Sequence, residues 1–316
     1  MQFGKTFIGL AFCAAFAAGQ SATAAEQVDA EYKFYWKGLL VSSAETQLKT
    51  TAETYDFALN FRMRGVAKLF ANGRSTAKVS GRLDGDDAMP LLYETEGRWD
   101  GDDYAQTMTF AADGSLVDQK LDWPEKWLED NKREPVPDEM QRGPDPASLV
   151  VKLVSVPLEQ TTNGTPFKVR SFDGDSVFEY GITCQPEPVI LEESSHSPYS
   201  GEAYECGFGG ELLAGKRILT EKQKKKAEKR RLKAEKKRLK AEKRGKKYEE
   251  DEDMPPKLWV QPFEGGAYLL PVRAEVTTGM GKVVMYLSAL SVTDTEAVES
   301  VASEAIESPT KTASSR

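Results

Sequence analysis

Histidine is all but missing from this 316-residue chain; His196 is the one copy. Multi-histidine metal centres are thereby excluded, and a histidine-dependent triad would have to be built on that residue, which reads as a surface position in a Ser/Pro-rich stretch. Cysteine is almost as scarce, at Cys13, Cys184 and Cys206. Long apolar runs are lacking too. The longest, Phe7 to Ala18, is about a dozen residues, short of the roughly twenty that span a bilayer as a helix.

That short run has another use. Lys5 precedes it as a positive n-region, and Ala22-Thr23-Ala24 follows with the small residues a signal peptidase reads, so residues 1–25 are expected to be a signal peptide cleaved after Ala24 or Ala25. Phe12 is too bulky for the position before a lipidated cysteine, which argues against Cys13 as a lipid attachment site. The expected location is the periplasm. In that oxidising compartment Cys184 and Cys206 are expected to form a disulfide, closing a loop of about twenty residues and contributing about 3 kcal/mol.

The formal net charge of −8 conceals a segregation. Residues 216–253 hold eighteen Lys and Arg against nine Asp and Glu, leaving about −17 for the remainder. An acidic body carries a basic arm.

Along the body, period-two alternation dominates. Tyr32, Phe34 and Trp36 alternate with polar neighbours, and Tyr55, Phe57, Leu59, Phe61 and Met63 alternate with Asp56, Ala58, Asn60, Arg62 and Arg64. Ala77, Val79 and Leu83, then Tyr93, Thr95 and Trp99, then Tyr104, Met108 and Phe110 continue the pattern, with Asp100-Gly101 as a hairpin turn. Further strands are expected at 167–172, 177–182, 204–208, 268–276 and 282–292. Residues 123–137 read as loop. Asp145-Pro146 opens a short helix over 147–156, expected to pack on the sheet and plug an open end. Strands with one apolar face predict a mainly β fold, a large, curved, partly closed antiparallel sheet resembling a barrel, in one domain spanning 26–292. Residues 293–316 lack periodicity and are expected to be a disordered tail.

The arm contains the near-repeat KAEKRRL, KAEKKRL, KAEKRGK. Leu232 and Leu239 recur at seven, but no second apolar column accompanies them, so a coiled coil is not expected. Ion pairs such as Glu221 with Lys225 and Glu242 with Lys246 support a solvated helix that frays at Gly245. The arm reads as an insertion into a loop of the β domain.

Several short marks occur in order: Gly38-Leu39-Leu40-Val41 after an aromatic strand, Gly65 and Gly73, Asp145-Pro146-Ala147-Ser148, Phe172-Asp173-Gly174, Tyr204-Glu205-Cys206 and Leu270-Pro271-Val272-Arg273. Their order over about 30–292 resembles the bacterial exported family known as domain of unknown function 3108. The resemblance implies a curved, partly closed antiparallel β structure and no established chemistry. The basic arm departs from the family pattern. By fold alone the shape is similar to that of periplasmic lipoprotein carriers, whose curved sheets enclose an apolar cavity.

Candidate sites are few. Tyr32, Trp36, Phe57, Phe61 and Trp99 line a ligand cavity or else fill the core. Arg82 to Asp87 and Arg98 to Asp103 share an Asp/Gly pattern that fits hairpin turns, a calcium loop or paired glycosidase carboxylates. Asp145 with Ser148 fits a helix cap. No catalytic residue, metal ligand or cofactor is assigned. The expected function is a non-enzymatic periplasmic envelope protein binding an amphiphile or a protein partner in or on the curved sheet. Its basic arm is free to touch anionic lipid or polymer, and nucleic acid is not an expected partner. A carboxylate-dependent hydrolase of envelope glycan, resting on Asp86 and Asp102, and a purely structural role are the alternatives.

Overall fold

The computed structural model describes residues 25–69, 71–85, 87–243, 255–263, 268–278 and 281–295. Residues 1–24, nearly all of the expected signal peptide, lie outside them, as do Asp86, Gly245 and residues 296–316, most of the expected tail. The alternating segments form β1 (Ala25–Trp36), β2 (Leu39–Thr50), β3 (Thr54–Met63), β4 (Gly73–Asp84), β5 (Asp87–Trp99), β6 (Asp102–Phe110) and β7 (Leu116–Asp122). Past the middle come β8 (Phe167–Phe172), β9 (Val177–Cys184), β10 (Val189–Leu191), β11 (Gly201–Ala214), β12 (Lys257–Phe263), β13 (Tyr268–Thr278) and β14 (Gly281–Thr295). Every pairing is antiparallel, in the order β7-β6-β5-β4-β3-β2-β1-β14-β13-β12-β11-β9-β8, with β10 added beside β11. The final strand runs to Thr295, three residues past the expected start of the tail.

Among the described residues four α-helices interrupt the sheet: α1 (Glu125–Asp130), α2 (Pro146–Val154), α3 (Leu158–Thr162) and α4 (Glu221–Glu242). The stretch read as loop over 123–137 thus contains one short helix. At the expected helix start Asp145 caps α2, its Oδ1 accepting from the backbone N–H groups of Ala147 at 2.8 Å and Ser148 at 3.1 Å. Pro146 stands where a missing N–H costs nothing. α2 packs against β3, β4 and β5 on one side and β8 and β13 on the other. Since β4 and β13 are separated in the sheet by β3, β2, β1 and β14, the sheet must curl over the helix to touch it from both directions. The largest core lies there, with Tyr55, Phe57, Val79, Tyr93, Met108, Val151, Phe172 and Leu270 buried together. At about 25 cal/mol per Å² of apolar surface buried, each of these side chains contributes about 2 kcal/mol.

The ladder itself does not close; its two ends are held by local contacts instead. Gln106 Nε2 on β6 donates to the Asp173 carbonyl in the β8–β9 turn at 2.8 Å. Gly174 follows at φ +100°, and a Cβ there would collide with the amides of Gln106 and Gln119. A second latch joins the segment after α1 to the segment after β11: Glu134 N–H donates to the Lys216 carbonyl, and Ile218 N–H to the Lys132 carbonyl, both at 2.8 Å.

Candidate functional site

β13 opens with Tyr268-Leu269-Leu270-Pro271-Val272, an unbroken apolar run in which Leu269 and Leu270 are both buried. Such a run suits a strand covered on both faces. Here Leu270 joins the core beneath α2, while Leu269 joins a cluster with Val156, Ile182, Val260 and the two cysteines. Val272 faces a third cluster with Ala30, Leu191, Ala203, Trp259 and Leu287.

Between these clusters lies an apolar hollow of about 430 Å³, whose lining includes Tyr199, Phe263, Leu270, Val272, Leu287 and Leu290. Glu202 and Gln261 are its polar members. The Gln261 amide is already committed, donating to the carbonyls of Ser200 at 3.1 Å and Glu202 at 2.9 Å, which leaves the exposed Glu202 carboxylate as the charged group at the margin. Burial pushes the Tyr32 phenol well above its usual range, and the neighbouring Tyr199 phenol adds to this. Tyr199 is raised by burial as well, against the lowering effect of its bond to the Leu290 backbone. Both phenols are neutral at ordinary pH, so the hollow's wall is uncharged apart from Glu202.

The disulfide builds this region. Cys184 on β9 and Cys206 on β11 are directly opposite one another and bonded. The 22-residue separation gives about 3 kcal/mol of loop-closure stabilisation. Within the closed loop Ser197 donates its hydroxyl to the Leu287 carbonyl at 2.6 Å, which pins the loop across β14. Two residues on, Tyr199 enters the hollow. One residue back, His196 stacks on Tyr35 with ring centroids 4.1 Å apart and tilts against Tyr286 at 5.6 Å. The lone histidine is therefore half-buried against aromatic rings, not the surface residue its loop suggested.

The five aromatic residues expected to line a cavity are not brought together. Phe57 is core beneath α2. Phe61 meets Phe34 edge-on at 6.3 Å, Trp99 lies across Gly73, where any Cβ would strike its ring, and Trp36 carries the Lys37 ammonium at 4.9 Å. Only Tyr32 packs against the cluster beside the hollow. The physical reason is distance: the five are spread over β1, β3 and β5, alternate strands about 10 Å apart, and Trp36 lies four residues, about 13 Å, beyond Tyr32 along β1.

The Asp/Gly repeats are turns. Asp100 and Gly101 both have positive φ, 52° and 100°, as a tight hairpin requires. Asp87 begins β5 and Asp102 follows its end, so a 13-residue strand, about 40 Å, separates the two clusters. Paired glycosidase carboxylates stand within about 10 Å, so the proposed pairing of these two turns is not available. Among the described residues no group of three or more His, Cys, Asp or Glu is placed to hold a metal ion.

Asp145 is fully buried and shares a network with Ser148, whose hydroxyl donates to its Oδ2, and with Tyr55, 2.7 Å from Ser148 Oγ. Burial raises the Asp145 carboxyl above its ordinary range, opposed by its bonds from Ser148 and Ala147. The network ties β3 to α2.

α4 begins with a reciprocal cap: Gln223 N–H donates to Thr220 Oγ1 at 3.3 Å, and Thr220 N–H to Gln223 Oε1 at 3.0 Å. Gln223 Nε2 also donates to the Asp130 carbonyl at 3.1 Å, seating the helix on α1. Beyond that turn Leu232 and Leu239 are exposed, as expected of a helix with no apolar stripe. The first ion pair is Glu221 with Lys224, at i+3 instead of i+4.

No curated protein matches this sequence. One solved structure, a beta-barrel-like protein of domain of unknown function DUF1849 from Brucella abortus, is similar with a TM-score of 0.42 at 11% identity, covering 87% of this chain and 99% of that one. Residues 31–187, from β1 past β9, match the family described as "Protein of unknown function (DUF3108)". The later marks, around Cys206 and Leu270–Arg273, lie outside that match. Through residues 31–187 the chain belongs to the DUF3108 family.

Proposed function

We propose that this is a non-enzymatic, exported envelope protein that holds an amphiphilic ligand in its curved sheet. The observation that carries the reading is the hollow under the disulfide loop: a mostly apolar lining, a volume within the 300–1,000 Å³ of small-molecule sites, and a carboxylate at the margin. An apolar chain would displace water from Leu270, Val272, Leu287 and Leu290, while a polar head would remain near Glu202. Export is supported by the leader-like start of the sequence and by a disulfide, which is stable in an oxidising compartment.

The basic arm adds a second contact. Beyond its first turn α4 is exposed at all its described positions but Ala234, and it is dense in Lys and Arg, which suits a surface of anionic lipid or polymer. Native mass spectrometry of protein purified from the periplasm tests the reading. A co-purifying lipid-like mass, lost in a Leu290→Trp variant that fills the hollow, is the expected result. Repeated isolation of empty protein that also ignores a fluorescent fatty-acid probe would sink it.

A further inference from the structure

The solvent face of the sheet carries an arrangement that folding does not call for. Arg62 on β3, Arg74 on β4 and Arg98 on β5 are directly paired positions, Arg62 opposite Arg74 and Arg74 opposite Arg98. Adjacent strands are about 4.8 Å apart, and like charges directly opposite one another destabilise a sheet. The outer two are partly compensated. Arg62 makes a two-pronged contact with Glu45 at 3.0 and 3.2 Å, and Arg98 approaches Asp103 at 3.6 Å. The middle one is not: among the described residues Arg74 has no hydrogen-bond or ion-pair partner for its guanidinium. It is exposed, and it lines a groove of about 610 Å³ together with Arg62.

The rest of that groove has a different character. Asn60, Thr76, Glu96 and Asp122 line it, while Asp103, paired with Arg98, stands at the guanidinium end. Thr76 Oγ1 donates to Asn60 Oδ1 at 3.1 Å, which leaves the Asn60 amide N–H groups available. Glu96 and Asp122 are acceptors only when ionised and suit hydroxyl donors. One end of the groove therefore offers guanidinium groups, whose fork geometry matches phosphate oxygens, and the other offers acceptors for hydroxyls.

We propose that this groove binds a phosphate monoester carried on a hydroxyl-rich scaffold, in the manner of a phosphorylated sugar. The phosphate sits between Arg62 and Arg74, and the hydroxyls donate to Glu96 and Asp122. Binding supplies the counter-charge that the sheet does not give Arg74. The site is separate from the apolar hollow and does not depend on it.

Calorimetry on the full chain at low salt tests this with glucose 6-phosphate, glucose and inorganic phosphate. Glucose 6-phosphate is expected to bind more tightly than either of the others. Arg74→Gln should weaken it at least tenfold while leaving the thermal midpoint unchanged or higher, since a repelling charge is removed. Glu96→Gln with Asp122→Asn should weaken glucose 6-phosphate but not inorganic phosphate. Phosphatidylcholine vesicles with and without phosphatidic acid form the second arm: binding that requires phosphatidic acid and falls with Arg74→Gln assigns the phosphate to a lipid headgroup. Equal affinity of wild type and Arg74→Gln for every phosphate probe, or no binding by wild type, overturns the site. Inorganic phosphate held as tightly as glucose 6-phosphate overturns the hydroxyl half. Leu290→Trp should alter none of these values.

Discussion

Ser197 donates its hydroxyl to the carbonyl of Leu287, ninety residues away, and so clamps the disulfide loop onto the strand that floors the hollow. Both groups are buried. Replacing Ser197 by Ala leaves the Leu287 carbonyl without that donor, a loss of about 1–3 kcal/mol. Urea unfolding should show it, and the fatty-acid probe should dissociate faster because Tyr199 is no longer held.

Removing the covalent tie has a different signature. The double variant Cys184→Ser, Cys206→Ser should lose about 3 kcal/mol, and reductant should destabilise wild type by a similar amount while leaving the double variant unchanged. Unfolding curves with and without dithiothreitol distinguish this from a packing defect. An unchanged midpoint for wild type in reductant would contradict the role assigned to the bridge.

The buried cap gives a pH dependence with a definite sign. Burial raises the Asp145 carboxyl in the folded chain above its unfolded value of about 3.9. Its contribution is therefore fully present below the unfolded value and lost as pH rises through the folded one. Asp145→Asn keeps an acceptor for the Ala147 and Ser148 N–H groups but cannot ionise. Its stability relative to wild type should improve as pH is raised from about 4 to 8. Asp145→Ala should lose about 2–4 kcal/mol at pH 4, because cap and network both go, and less at pH 8, where the wild-type carboxyl no longer contributes as much.

The arm should act electrostatically. Deleting residues 222–250 should abolish binding to anionic vesicles while changing the unfolding midpoint little, since that helix buries almost nothing. Binding by wild type should weaken steeply between 50 and 300 mM salt. Retained vesicle binding in the deletion would move the contact elsewhere on the protein.

The parts of this fold that could be read from sequence are those where one rule acted alone. β3 was legible because Tyr55 to Met63 alternate cleanly, and β8 because Phe167 to Arg170 do. The cap on α2 was legible because Asp-Pro before an apolar stretch has one local meaning. β2 was not, since Ser42, Ser43 and Ala44 are buried without being large or apolar. β7, β10 and β12 were missed as well; β12 carries Pro262 and follows the charged arm, which masks its pattern. The hollow was hidden for a related reason. Tyr268 to Val272 is apolar throughout, so nothing in it tells which residue faces which cluster, and alternation alone does not say how far along β1 Trp36 stands from Tyr32. The Thr220–Gln223 reciprocal cap was readable at that spacing, yet no apolar face follows it to draw the eye.

The pairing of β1 with β14 joins residues 25–36 to residues 281–295 in one ladder. A chain made from its N-terminus has β1 through β7 in hand long before β14 arrives. Until then β1 shows an unpartnered row of amides and carbonyls to its surroundings, a template for strand exchange with other molecules. Completion awaits nearly the whole polypeptide, so slow, non-local assembly is built into the order of the strands.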